Sequence, residues 1–97
     1  MRFEWDQRKS TRNLRDRGFD FEFATLIFEG LTLERDDTRR DYGERRVVAI
    51  GLAQDVALTV VYTDRAEAGD EVVRRIISAR QSNRNERQAY SQAVSQD

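Results

Sequence analysis

Val56-Ala57-Leu58-Thr59-Val60-Val61-Tyr62-Thr63 is apolar at odd and even positions alike and rich in β-branched residues. A strand whose two faces are both apolar must be covered on both, so this run predicts the central strand of a sheet. Upstream, Gln54-Asp55 reads as a turn, and Arg45 to Leu52 as a second apolar, β-branched run. Downstream, Ala66 to Asp70 is a loop containing Gly69, and Val72 to Ala79 is the last strand. Successive strands joined by short turns imply an antiparallel meander. Leu31-Thr32-Leu33-Glu34-Arg35 adds a short strand, followed by a polar turn from Asp36 to Gly43.

The flanks read as helices. Arg2-Phe3-Glu4-Trp5 alternates like a short edge strand. Asp6 then caps a polar helix that runs to about Arg17, where Gly18 stops it. Its one clear apolar residue is Leu14, so most of this helix belongs on the surface, with Lys9, Asn13 and Arg17 forming a stripe at four-residue spacing. Asp20 caps a second helix, Phe21 to about Phe28, ended by Gly30; its aromatic and aliphatic content makes it the main packing element against the sheet. From Ser82 the chain is helical again, with Ala89 and Ala93 as the inner face and Gln96-Asp97 fraying. The expectation is a single α+β domain over residues 1–97: an antiparallel sheet meander with two N-terminal helices on one face and a C-terminal helix.

Composition narrows the chemistry. The hydrophobic fraction of 38% barely exceeds the charged fraction of 36%, so the core is thin. There is no cysteine and no histidine, which removes disulfides, thiolate nucleophiles and nearly every structural zinc site. No run approaches the roughly 20 apolar residues of a spanning helix. Met1 to Asp6 lacks the apolar core of a signal peptide, so a cytoplasmic protein without membrane contact is expected. The net charge of −1 gives no global pull toward nucleic acid. Of the 17 basic residues, however, 16 are arginine and Lys9 is the only lysine. Arginine is the better residue for forked contacts with phosphate or carboxylate, so any nucleic-acid surface here is a local patch.

Two arginines stand at strand ends: Arg65, and Arg80 after Ile76-Ile77-Ser78-Ala79. Glu86 and Tyr90 follow, four residues apart on one helix face. Such arginines can hold phosphate, and a carboxylate and a phenol beside them can move protons. The same pattern equally describes an exposed salt network. Along the last strand, Arg74, Ile76, Ser78 and Arg80 are expected on one side and Arg75, Ile77 and Ala79 on the other. Trp5 can stack on a nucleobase or pack beside the helix start, while Tyr62 is expected in the core. Asp36, Asp37 and Asp41 lack the glycine and distal glutamate of a calcium loop and read as a solvated turn, so no metal and no cofactor are expected.

Taken in order, these residues resemble the BrnT family of bacterial toxins. The matching pieces are Phe3-Glu4-Trp5-Asp6, Lys9, Asn13, Gly18, Phe21-Glu22 with Ala24, Gly43-Glu44 with Arg46, Ile50-Gly51, Val60-Val61-Tyr62-Thr63 with Arg65, Ile76-Ile77-Ser78-Ala79-Arg80, and Glu86 with Tyr90. The resemblance spans nearly the whole chain. It implies a RelE-like ribonuclease that blocks translation and is neutralised by a BrnA antitoxin carrying a ribbon-helix-helix part. The implied assembly is a heterotetramer of two toxins and two antitoxins, which reaches operator DNA only through the antitoxin. One position departs: where the family commonly carries Lys-His-Gly, this chain reads Asp16-Arg17-Gly18. The expected site therefore has no histidine. Arg65 and Arg80 are expected to clamp the scissile phosphate, with Glu86, Tyr90 and Lys9 as proton-transfer candidates and Trp5, Asn13 and Arg17 as RNA contacts. Two other classes fit the same residues: an inactive antitoxin-binding module acting as a co-repressor, and a small structural subunit.

Overall fold

The computed structural model describes residues 1–95, and the expected fraying of Gln96-Asp97 lies outside them. The elements run β1 (Arg2–Trp5), α1 (Gln7–Arg17), α2 (Phe21–Ala24) continuing into a 3-10 turn (Thr25–Glu29), β2 (Leu33–Asp36), β3 (Val47–Ala53), β4 (Val56–Ala66), β5 (Val72–Gln81) and α3 (Arg84–Val94). The fold is α+β, with a five-stranded sheet in the order β1-β5-β4-β3-β2. From β2 to β5 it is the expected antiparallel meander. β1 departs from that pattern: it pairs parallel to β5, Trp5 opposite Ile76, so the sheet is mixed. Strand polarity leaves no trace in a four-residue alternating segment, which is why the sequence showed the strand but not its direction.

Local chemistry accounts for most boundaries. The Asp6 carboxylate accepts from the backbone N–H groups of Arg8 and Lys9 at the start of α1. Gly18 ends α1 in the left-handed region, φ 87°, where a side chain would be strained. Gln54 and Asp55 both take positive φ in the β3–β4 hairpin, as a tight two-residue connection demands. The second helix is shorter than expected. Its α-helical part is one turn, and from Thr25 the backbone tightens to 3-10 geometry. That turn lies close on β3: a Cβ placed at Gly51 would meet Ile27 Cβ at 2.9 Å, so only glycine allows the approach.

The core lies between the sheet and α2 with its 3-10 turn. Phe21, Ala24 and Ile27 bury themselves against Ala49, Leu58, Val60, Tyr62, Ile76 and Ala79. Phe28 links this cluster to Phe3 and, edge-on, to Tyr62, with ring centroids 5.7 and 5.3 Å away. α1 inverts the usual pattern. Its apolar Leu14 is exposed while Ser10 and Asn13 are buried. Both buried residues serve the α1–α2 connection: Ser10 Oγ accepts from Phe21 N at 3.0 Å, and Asn13 Nδ2 donates to the Phe19 carbonyl at 2.9 Å.

β5 carries a bulge. Tyr62 faces Ile76 but Val61 faces Ser78, so Ile77 is the extra residue. Side-chain alternation therefore resets within the strand. Arg74, Ile76 and Ala79 share the helix-covered face, while Arg75, Ser78 and Arg80 share the other. This corrects the simple alternation expected from the sequence. On that second face α3 packs against β3. Its inner residues are Tyr90 and, in part, Glu86 and Val94; Ala89 and Ala93, expected inside, are exposed.

Candidate functional site

The two arginines expected to clamp a phosphate together do not converge. Arg80 lies across from Thr59 and Arg65 across from Val73. They share a face, but six residues of β4 separate their positions, about 20 Å at the rise of a strand. Each is already closed on a carboxylate. Arg80 makes a forked pair with Glu86 at 2.7 and 2.8 Å. Arg65 makes a forked pair with Glu4 at 2.7 Å to each oxygen and a third contact with Glu67 at 3.1 Å, while Arg75 reaches the same Glu4 at 3.0 Å.

These pairs set the acidity of both carboxylates. Hydrogen bonds from Arg65 and then Arg75 hold Glu4 down at about 2, and the bond from Arg80 holds Glu86 at about 2, against an ordinary 4.5. At that value Glu86 is a poor acceptor of protons near neutrality. Because both groups are more acidic when folded, their stabilising contribution is complete above about pH 4.5 and is lost as pH falls toward 2. Thermal melts stepped down through that window are expected to show falling stability. In the double variant Glu4→Gln, Glu86→Gln the dependence is expected to flatten; an unchanged profile would assign acid sensitivity elsewhere.

The remaining expected residues divide sharply. Tyr90 is buried, and its hydroxyl donates to the Leu31 carbonyl at 2.8 Å, which ties α3 to the chain before β2. Its phenol and the Glu86 carboxylate do share a helix face, but each is committed to a structural partner. Asn13 holds the Phe19 carbonyl, as described. Arg17 Nη1 donates to the Ala79 carbonyl at 2.9 Å, on the edge of β5 beyond the end of β1. Trp5 packs partly buried against the core and donates to Gln7 Oε1 at 3.2 Å.

Lys9 is different. Among the described residues its amine makes no ion pair, though ten such pairs form elsewhere. It is half-buried and lines two clefts at once. One, of about 190 Å³, lies between α1 and β5 and includes Arg12, Asp16, Phe21, Ile77 and Ser78. The other, of about 220 Å³, is bounded by Asp6, Glu44, Arg46, Arg75 and Ile77. Burial pushes the Lys9 ammonium below its ordinary range, and Arg46, Arg75 and Arg12 push the same way against the charge of Asp6. A half-buried, unpaired amine of lowered affinity for its proton, among guanidiniums, is suited to an anion and to proton transfer.

Arg12, Glu44, Arg46 and Arg75 were not assigned to a site from the sequence. Arg12 was within reach, three residues from Lys9 on one helix. The others arrive from the β2–β3 connection and from β5, and only the fold brings them to Lys9. The aspartates expected in a polar turn disperse: Asp36, the last residue of β2, pairs with Arg45, the buried Asp37 takes a forked pair from Arg39, and Asp41 accepts from Gly43 N. No group of three His, Cys, Asp or Glu able to hold a metal ion forms among the described residues. No helix there is long and apolar enough to cross a membrane.

No curated protein matches the chain. A family model described as "Ribonuclease toxin, BrnT, of type II toxin-antitoxin system" matches residues 5–86, from Trp5 at the end of β1 through Glu86 in the first turn of α3. That span takes in the sheet from β2 to β5, both early helices and the two Lys9 clefts, and the chain accordingly belongs to the BrnT family of ribonuclease toxins.

Proposed function

We propose that the chain is a metal-independent endoribonuclease that cuts RNA, blocks translation and is silenced by a BrnA-like antitoxin. The observation that carries this reading is Lys9: a half-buried amine, unpaired among the described residues, between two clefts edged by Arg12, Arg46 and Arg75. In the cleft of about 220 Å³, Arg46 and Arg75 would hold the scissile phosphate. The 2′-hydroxyl on its 5′ side attacks phosphorus. Its proton passes to a carboxylate, for which Glu44 lies in the same cleft with one oxygen on Arg46 at 3.1 Å. The bond to O5′ breaks, and the Lys9 ammonium gives that oxygen its proton. The products are a 2′,3′-cyclic phosphate and a 5′-hydroxyl. Guanidiniums beside the phosphate stabilise the charge that develops on it.

Arg65 and Arg80, in this reading, shape the fold around the site rather than hold the reacting phosphate. The antitoxin would cover the Lys9 clefts, with two toxins on a dimeric antitoxin that alone contacts operator DNA. The toxin would act where ribosomes and messenger RNA are, in the cytoplasm. One observation favours a second reading, an inactive antitoxin-binding module: Arg46 and Arg75 each already hold a carboxylate, Glu44 at 3.1 Å and Glu4 at 3.0 Å. Inducing the chain alone in a bacterium, then together with its antitoxin, separates the two. Growth arrest that the antitoxin relieves is expected; unimpaired growth with the folded chain at high level favours the inactive module. Cleavage by the purified protein is expected to persist in excess EDTA. Loss of cleavage in EDTA with recovery on adding magnesium would overturn the metal-independent route.

A further inference from the structure

The cleft between α1 and β5 is separate from the one assigned to the phosphate, and Lys9 lies between them. At about 190 Å³ it is smaller than the roughly 300–1,000 Å³ of pockets for drug-sized ligands. Ile77 contributes apolar surface, with the nearly buried Phe21 behind it, and polar groups stand along one wall. That combination suits one flat heterocycle. The wall is α1, where Arg12 and Asp16 are four residues apart and so stand roughly 5–6 Å from each other on one face.

We infer that this cleft is a base-recognition subsite that takes a guanine next to the bond being cut. The inference rests on the ribonuclease reading above and deepens it. Guanine presents acceptors, O6 and N7, at one end of its edge and donors, N1–H and N2–H, at the other. Arg12 matches the acceptors, the pairing that arginine makes most often with guanine. Asp16 matches the donors with its two oxygens. Its carboxyl is held below the usual range by Arg15, so it only accepts hydrogen bonds near neutrality. The Arg15–Asp16 contact, 2.9 Å and well exposed, is cheap to exchange. Adenine turns an amino donor toward Arg12 where guanine offers O6, so two donors would face each other. Pyrimidines are too short to meet both residues.

The test uses the whole chain and two probes, 3′-GMP and 3′-AMP. Amide NMR titrations are expected to show 3′-GMP binding at least about tenfold more tightly, with shifts at Asp16, Ile77 and Ser78. The ratio is expected to approach one when Arg12→Met and Asp16→Ala are combined, and to fall part of the way in Asp16→Ala alone. That variant removes an acid from the last turns of an exposed helix, where the dipole disfavours it, so the fold should tolerate it. Equal binding of the two nucleotides, or a preference undiminished in Asp16→Ala, overturns the subsite. Mapping the cut ends of a mixed RNA pool adds a second readout: guanine is expected at one fixed position beside the cut. Cleavage with no base preference overturns the subsite while leaving the ribonuclease reading intact. If the pool stays uncut the ribonuclease reading fails, and nucleotide binding alone still decides whether the cleft selects guanine.

Discussion

Lys9→Met is expected to lower RNA cleavage by about 10²–10⁴-fold, the usual contribution of a positioned acid or base. Methionine keeps the apolar stem in place and removes only the amine, which makes no ion pair among the described residues. The thermal midpoint should therefore stay within a few degrees of the parent. Lys9→Arg divides the loss further. Arginine keeps the positive charge but does not release a proton near neutrality, so it restores phosphate attraction without the transfer. If Lys9 acts as the acid, the parent rate falls as pH rises through its lowered pKa, below the ordinary 10.5. That alkaline limb should be missing from Lys9→Arg. Parent-like cleavage by Lys9→Met would remove the amine from the chemistry.

The largest effect on stability is expected from Phe21→Ala. Phe21 is 2% exposed and joins α2 to the sheet. Truncating such a phenylalanine costs about 3–5 kcal/mol, against a total of about 5–15 kcal/mol for a domain. The melting temperature should fall by at least roughly 10 °C. Leu14→Ala is the contrast. Leu14 is the apolar residue that a reader of α1 would turn inward, but it is 51% exposed, and its loss should change stability by no more than about 0.5 kcal/mol. Equal losses at the two positions, measured by urea unfolding, would mean that α1 is rotated from the orientation described.

What the sequence disclosed follows the range of the forces involved. Asp6, Gly18, Asp20 and the Gln54-Asp55 turn act within a few residues, and each ends or starts an element where the sequence placed it. The parallel pairing of β1 and the bulge at Ile77 depend on contacts far along the chain, and neither leaves a local mark. The bulge alone moved Ser78 and Arg80 to the face opposite Ile76, while Arg74 and Arg75, ahead of it, kept the sides that simple alternation gives. Residues suited to phosphate were recognisable by type, but their partners were not. Glu4 meets Arg65 and Arg75 across 61 and 71 positions, so Arg65, expected to clamp a phosphate with Arg80, stands in a salt network that the sequence did not display. Lys9 was visible as the lone lysine. That it has no ion pair among the described residues, with Arg46 from the β2–β3 connection and Arg75 from β5 beside it, emerges only from the fold.

The most direct test of cleavage at the Lys9 site is an analysis of the ends produced when the purified chain meets an RNA oligonucleotide in EDTA. Attack by the neighbouring 2′-hydroxyl predicts a 2′,3′-cyclic phosphate on one product and a 5′-hydroxyl on the other, with no cut where that nucleotide is 2′-deoxy and almost none from Lys9→Met. Products bearing 5′-phosphates, or a 2′-deoxy substrate cut at the normal rate, would contradict it.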